Sequence, residues 1–178
     1  GASGRTDAIR KSFRLQLLAR SEVDIVSVGF ADGEYAEAQR LPGGAVRTGG
    51  AGKATGGALV LERVDERGEP VSVELRRPGY DPRERPWYRA AIEADGLAWS
   101  RPYSIFSTNE PAVAVSLPVR RDGEVFGVAV ATVELGTLSA YLATVEEARN
   151  GVAFVEDEEG RLIASSRSTI LDETGGRA

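Results

Sequence analysis

Apolar residues at Ile9, Phe13 and Leu17 recur every four positions, with Leu18 beside them and Arg10, Lys11, Arg14 and Arg20 on other faces. That spacing predicts an amphipathic helix from Arg5 to about Glu22, capped by Thr6 or Asp7. After Val23 the period falls to two. Residues 24–30 and 34–39 flank Ala31-Asp32-Gly33, a hairpin with an Asp-Gly turn. Residues 42–57 are dense in glycine and read as an exposed loop. Residues 59–64 and 71–75 flank Asp65-Glu66-Arg67-Gly68, a second hairpin. A short helix follows over residues 86–94, closed by Asp95-Gly96 with Gly96 as the left-handed cap. Residues 112–119 and 125–133 carry long apolar stretches, as central buried strands do. A helix over 136–149 sets Leu138, Tyr141, Leu142 and Val145 on one side and stops at Asn150-Gly151. Residues 152–155 and 161–165, around a turn at 156–160, make a last hairpin.

Helix, antiparallel strands, short helix, antiparallel strands, helix and hairpin make an α+β order, without the βαβ alternation of a doubly wound sheet. The last hairpin follows a connector-like helix and reads as the opening of a second, incomplete module. The length of 178 residues suits one domain plus such an appendage. With 42% hydrophobic and 28% charged residues the chain is globular in balance. A net charge of −5 argues against nucleic acid as a partner. The chain has no Cys and no His, which removes disulfides, Cys/His zinc sites, thiol nucleophiles and imidazole catalysis. It begins Gly1-Ala2-Ser3-Gly4 with no Met, so a processed form or a fragment is expected. There is no run of about 18 apolar residues and no signal-peptide apolar core.

Two tempting motifs fail on spacing. The segment from Thr48 to Thr55 invites a phosphate loop, yet Arg47 stands where the first glycine is needed and Ala54 follows Lys53. The run Glu156-Asp157-Glu158-Glu159 lacks the alternating oxygen ligands of a calcium loop and reads as a solvated hairpin tip. No Asp or Glu sits in an obviously apolar context of the kind a general acid needs. An enzyme would have to work with carboxylate or Tyr chemistry alone, so a non-enzymatic chain is expected. No metal or cofactor is implied.

The informative stretch runs from Pro78 to Ala91. Asp81-Pro82-Arg83-Glu84 has the form of a helix start, but Pro86 interrupts it. The expected geometry is a tight turn at 81–84, then a helix beginning afresh at Pro86. Arg85, Trp87 and Tyr88 then stand at a helix amino terminus, where a guanidinium fork, an indole N–H and a phenol O–H suit a small carboxylate. The residues serve equally well as Trp87 and Tyr88 in the core with Arg85 paired to an acid.

The run from Tyr80 to Tyr88, followed by Trp99-Ser100-Arg101-Pro102-Tyr103, resembles the signature of double Cache (dCache) sensor domains. Residues 127–135 with Leu138-Ser139 resemble the strand and helix start that close the membrane-distal module of that family, and 154–165 the first hairpin of its membrane-proximal module. The resemblance implies a long amino-terminal helix packed on a PAS-like antiparallel sheet. The divisions expected are an amino-terminal helix over 1–22, a distal ligand-binding module over 23–138, and a connector helix with the first hairpin of a truncated proximal module over 139–178. It also implies an extracytoplasmic ligand sensor, chemoreceptor or histidine kinase, anchored in the membrane as a full-length receptor. The amphipathic amino-terminal helix admits two readings, a helix laid on its own sheet alone or one that also pairs with a second copy in a parallel homodimer. In the amino-acid-binding members, positions matching Arg85 and Trp87 hold the ligand carboxylate and those matching Tyr80, Tyr88 and Tyr103 line the pocket. The Asp that takes the ammonium falls here on Thr132, and Ile105 replaces an acidic residue of some members. The expected ligand is therefore a small carboxylate without an α-amino group, with Glu134 able to restore a charge if a bulge brought it inward. The alternatives are an amino-acid sensor and a ligand-free dimerisation or docking module.

Overall fold

The computed structural model describes residues 2–149 and 151–167. The chain divides into two compact units, 1–133 and 134–178. In the first, helix α1 (Ala2–Leu18) precedes strands β1 (Ile25–Phe30), β2 (Tyr35–Arg40), β3 (Val46–Ala51), β4 (Leu59–Val64) and β5 (Pro70–Arg77). Then come a 3-10 turn (Pro82–Glu84), helix α2 (Pro86–Ala94), the two-residue strands β6 (Ala98–Trp99) and β7 (Tyr103–Ser104), and the long strands β8 (Pro111–Arg121) and β9 (Glu124–Glu134). Antiparallel pairing gives the order β5-β4-β3-β2-β1-β9-β8-β6, with β7 also on β8. This is the α+β arrangement expected.

The period-two alternation sorts the sheet into two faces. Phe13 and Leu17 of α1 pack on Val26, Ala38 and Val46, and Ile9 with Phe13 on Val28, Phe30 and Ala36. The alternate residues of the same strands face the other way, into a second core under α2. Helix α1 stops at Leu18, short of the expected Glu22. Arg40 of β2 donates to the carbonyls of Leu17 and Arg20, satisfying chain-end acceptors that a further helical turn would have used.

The glycine-rich stretch is not the exposed loop expected. Its centre is β3, an interior strand between β2 and β4. A Cβ on Gly49 would lie 2.3 Å from the Val60 carbonyl oxygen, and one on Gly50 2.5 Å from that of Tyr35. Glycine here permits close strand approach rather than a turn. Strand β9 is central as expected, but β8 is not. It has only β6 and β7 on its outer side, and its far half from Leu117 onward emerges from the core. At the end of α2 the left-handed residue is Asp95 (φ 50°), not Gly96, and its N–H bonds the Ile92 carbonyl.

In the second unit, helix α3 (Leu135–Arg149) packs on a hairpin of β10 (Phe154–Glu156) and β11 (Leu162–Ser165). Of the expected apolar side of α3, Leu138, Leu142 and Val145 are half-buried but Tyr141 is exposed. The expected stop at Asn150 lies outside the described residues. The acidic run forms the hairpin tip: Asp157 Oδ1 accepts from the Glu159 and Arg161 amides, and Asp157 pairs with Arg161.

Candidate functional site

Helix α2 is placed by three local devices. Asp81 Oδ1 accepts from the Arg83 amide at 2.9 Å, which closes the 3-10 turn, and the Arg83 guanidinium folds back on the same carboxylate. That pairing holds the Asp81 carboxyl below its usual range. Pro86 then opens α2, and the Arg85 carbonyl accepts from the amides of Tyr88 and Arg89. Finally, Pro82 and Trp87 settle on β1 at Gly29, where a Cβ would lie 2.6 Å from Pro82 Cβ and 2.9 Å from Trp87 Cη2. From the other side Ser116 of β8 donates to the Trp87 carbonyl at 2.8 Å.

Between α2, the sheet and the segment after β7 lies a cavity lined, among the described residues, by thirteen, of which only Arg85 and Glu37 are charged. Five of the six anticipated site residues line it: Arg85, Trp87, Tyr80, Tyr103 and Thr132. The sixth, Tyr88, does not; its ring packs 5.8 Å from that of Trp87. Ile105, Phe106 and Ser107 form one wall, held by Arg77, which donates to the Phe106 carbonyl and to Asn109 Oδ1. The cavity volume is ≈ 20 Å³, room for about one water.

Arg85 is half-buried. One amino group donates to the Ser104 carbonyl at 2.9 Å, and the guanidinium lies 5.9 and 5.7 Å from the ring centres of Tyr103 and Phe106. Among the described residues no acidic side chain pairs with it. Thr132 Oγ1 is hydrogen-bonded to the Tyr103 hydroxyl at 3.1 Å. Burial raises the Tyr80 and Tyr103 hydroxyl pKa values, so both remain neutral donors.

One residue was missed. Glu37 is 3% exposed, contrary to the expectation that no carboxyl lies in an apolar setting. It sits on β2 between Ser27 of β1 and Gly49 of β3. The Tyr35 hydroxyl donates to its Oε2 at 2.7 Å, while Oε1 is buried without a partner. Burial raises its pKa above the usual 4.5, opposed by the Tyr35 hydrogen bond and by Arg47. A carboxyl whose folded pKa is raised contributes stability that is fully present below the unfolded value and is lost as pH rises through the folded one. Glu37→Gln should therefore gain stability relative to wild type as pH climbs from 4.5 upward. Urea midpoints of both proteins across pH would check this; a gap constant with pH would contradict it.

Residues 58–140 match a family described as methyl-accepting chemotaxis protein-like, first PDC sensor domain. Methyl-accepting chemotaxis protein McpA of Pseudomonas putida is 38% identical over 89 residues, 49% of this chain and 14% of that protein. The ligand-binding domain of Campylobacter jejuni chemoreceptor Tlp3, solved with 4-methylisoleucine, is similar in fold with a TM-score of 0.58 at 14% identity, covering 97% of this chain and 54% of that one. That of Pseudomonas aeruginosa PctB, solved with L-Gln, gives 0.56 at 21%, covering 88% and 51%. The chain thus spans about half the length of these solved domains and a far smaller share of the curated receptor.

Proposed function

We propose that this chain, a dCache-like extracytoplasmic sensor domain homologous to the ligand-binding domains of chemoreceptors, binds a small organic carboxylate in the cavity beneath α2. The observation that carries the reading is Arg85, a guanidinium lining the cavity with no acidic partner among the described residues. A carboxylate matches its fork, and a charge-assisted pair there is stronger than a neutral hydrogen bond. The indole N–H of Trp87 and the neutral hydroxyls of Tyr80 and Tyr103 are the further donors on the wall. Tyr88 acts from behind, by packing on Trp87.

A volume of ≈ 20 Å³ is too small for an organic acid, so binding requires α2 or the 105–107 segment to draw back. A ligand that prefers the widened arrangement shifts the population toward it, and this is the signal a receptor transmits. In the full receptor the domain would be anchored at the membrane. Leu15 and Leu18, exposed on α1, are the side chains a second copy's helix would cover.

The test is a thermal-shift series of the 178-residue chain against short carboxylates, amines and sugars. At about 100 times Kd a ligand adds about 2.7 kcal/mol of stability. Carboxylates should raise the melting temperature. Stabilisation by amines or sugars alone would overturn the reading.

A further inference from the structure

Resting on the reading of Arg85 as the carboxylate anchor, we propose that Glu37 is the opposite pole of the same site, so that the ligand is a small carboxylate that also carries a protonated amine. A buried polar atom without a partner calls for an explanation, and Glu37 Oε1 is such an atom, on a side chain that lines the cavity. Its sister oxygen is already held by Tyr35, which fixes the carboxyl group and leaves Oε1 as its open acceptor.

Charge balance selects the ligand. Among the described residues the cavity wall holds one cation and one anion, Arg85 and Glu37. A simple monocarboxylate satisfies the first and leaves Oε1 as it was. A dicarboxylate brings a second negative charge into the low-dielectric space that Glu37 occupies, which is unfavourable while Glu37 is ionised. An amino carboxylate neutralises both poles, and its N–H groups meet the one acceptor that lacks a donor. Burial raises the Glu37 pKa, opposed by the Tyr35 hydrogen bond and Arg47, and an ammonium placed beside the carboxyl adds a further charge that favours its ionised form.

The anion does not stand where the sequence resemblance puts it. Thr132 of β9 pairs with Ile25 of β1, and Ile25 with Gln39 of β2, so Glu37 lies two strands away and two residues along. Adjacent strands are about 4.8 Å apart. The amine-binding position is thus displaced across the sheet from the Thr132 end, where Tyr103 and Arg85 gather.

Calorimetric titration of the 178-residue chain with matched pairs tests this: propionate against alanine and β-alanine, and butyrate against its α- and ω-amino derivatives. The amino member of at least one pair should bind roughly tenfold or more tightly than its parent acid, the scale of a hydrogen bond to a charged group. Glu37→Gln should erase that gain and leave the parent acid's affinity as in wild type. Glu37→Gln keeps the shape of the side chain, and its melting curve confirms a folded sample; Glu37→Asp, which retains the charge, should keep part of the preference. Equal affinity of parent and amino acids in wild type, or an amine preference that survives Glu37→Gln, overturns the proposal while leaving the Arg85 site standing. A chain that binds no member of any pair overturns both. Succinate and lactate complete the series; tightest binding by either would instead make Glu37 a protonated donor and also overturns the proposal.

Discussion

Replacing Arg85 by Ala is expected to remove carboxylate binding while leaving the domain folded. Among the described residues Arg85 is the only cation lining the cavity, and a bidentate pair with a carboxylate comprises two charge-assisted hydrogen bonds. At about 1.5–3 kcal/mol for each, losing both lowers affinity by about 100-fold or more. The fold asks less of this side chain. It contributes one hydrogen bond to the Ser104 carbonyl and loose contact with the Tyr103 and Phe106 rings, and it is half exposed to water. Stability should therefore fall by about 1 kcal/mol. Calorimetric titration with the best-binding acid, together with urea unfolding, reads both quantities. Wild-type affinity in a folded Arg85→Ala protein would remove the anchor from the account.

Trp87→Ala should do the reverse and act first on stability, with a cost of about 3–5 kcal/mol. The indole is 3% exposed and lies at the centre of the second core, with the Tyr35 ring 6.3 Å and the Tyr88 ring 5.8 Å away. It also rests on Gly29, so its removal opens a gap between α2 and β1 that neither backbone can close cheaply. Against a typical domain stability of about 5–15 kcal/mol that is a large fraction. Trp87→Phe should recover much of the packing but none of the indole N–H. Urea unfolding of the two variants separates the contributions. A loss below about 1 kcal/mol in Trp87→Ala would mean that α2 is not held as described.

The contrast between these variants follows from what the residues say locally. The turn at Asp81-Pro82 and the fresh start at Pro86 were legible because proline and a capping carboxylate act on their own neighbours. The hairpin at Asp32-Gly33 and the amphipathic stripe of α1 were legible for the same reason. Strand β3 was not, because glycine reads as a loop in isolation. Its use at Gly49 and Gly50 depends on which backbones lie alongside.

Glu37 was illegible for a related reason. Along β2, Tyr35, Glu37 and Gln39 alternate with Ala36 and Ala38. The alternation identifies a strand with a polar and a small-apolar face, and the simplest reading turns the polar face to water. In the fold the alanines lie on the α1 side and the polar set lies under α2, in the cavity or beside it. Only the placement of α2 over that face decides it. The same placement accounts for Tyr88. Its neighbour Trp87 points to the cavity, and one step along a helix turns a side chain by about 100°.

The most direct test of the central claim is a crystal structure of the chain with the acid that stabilises it most. A widened cavity beneath α2 is expected, with the ligand carboxylate within about 3 Å of the Arg85 guanidinium and the 105–107 segment displaced. The contrary result would be a carboxylate seated elsewhere, such as the cleft beside α1 lined by Arg10, Lys53 and Glu62, with the α2 cavity still at ≈ 20 Å³.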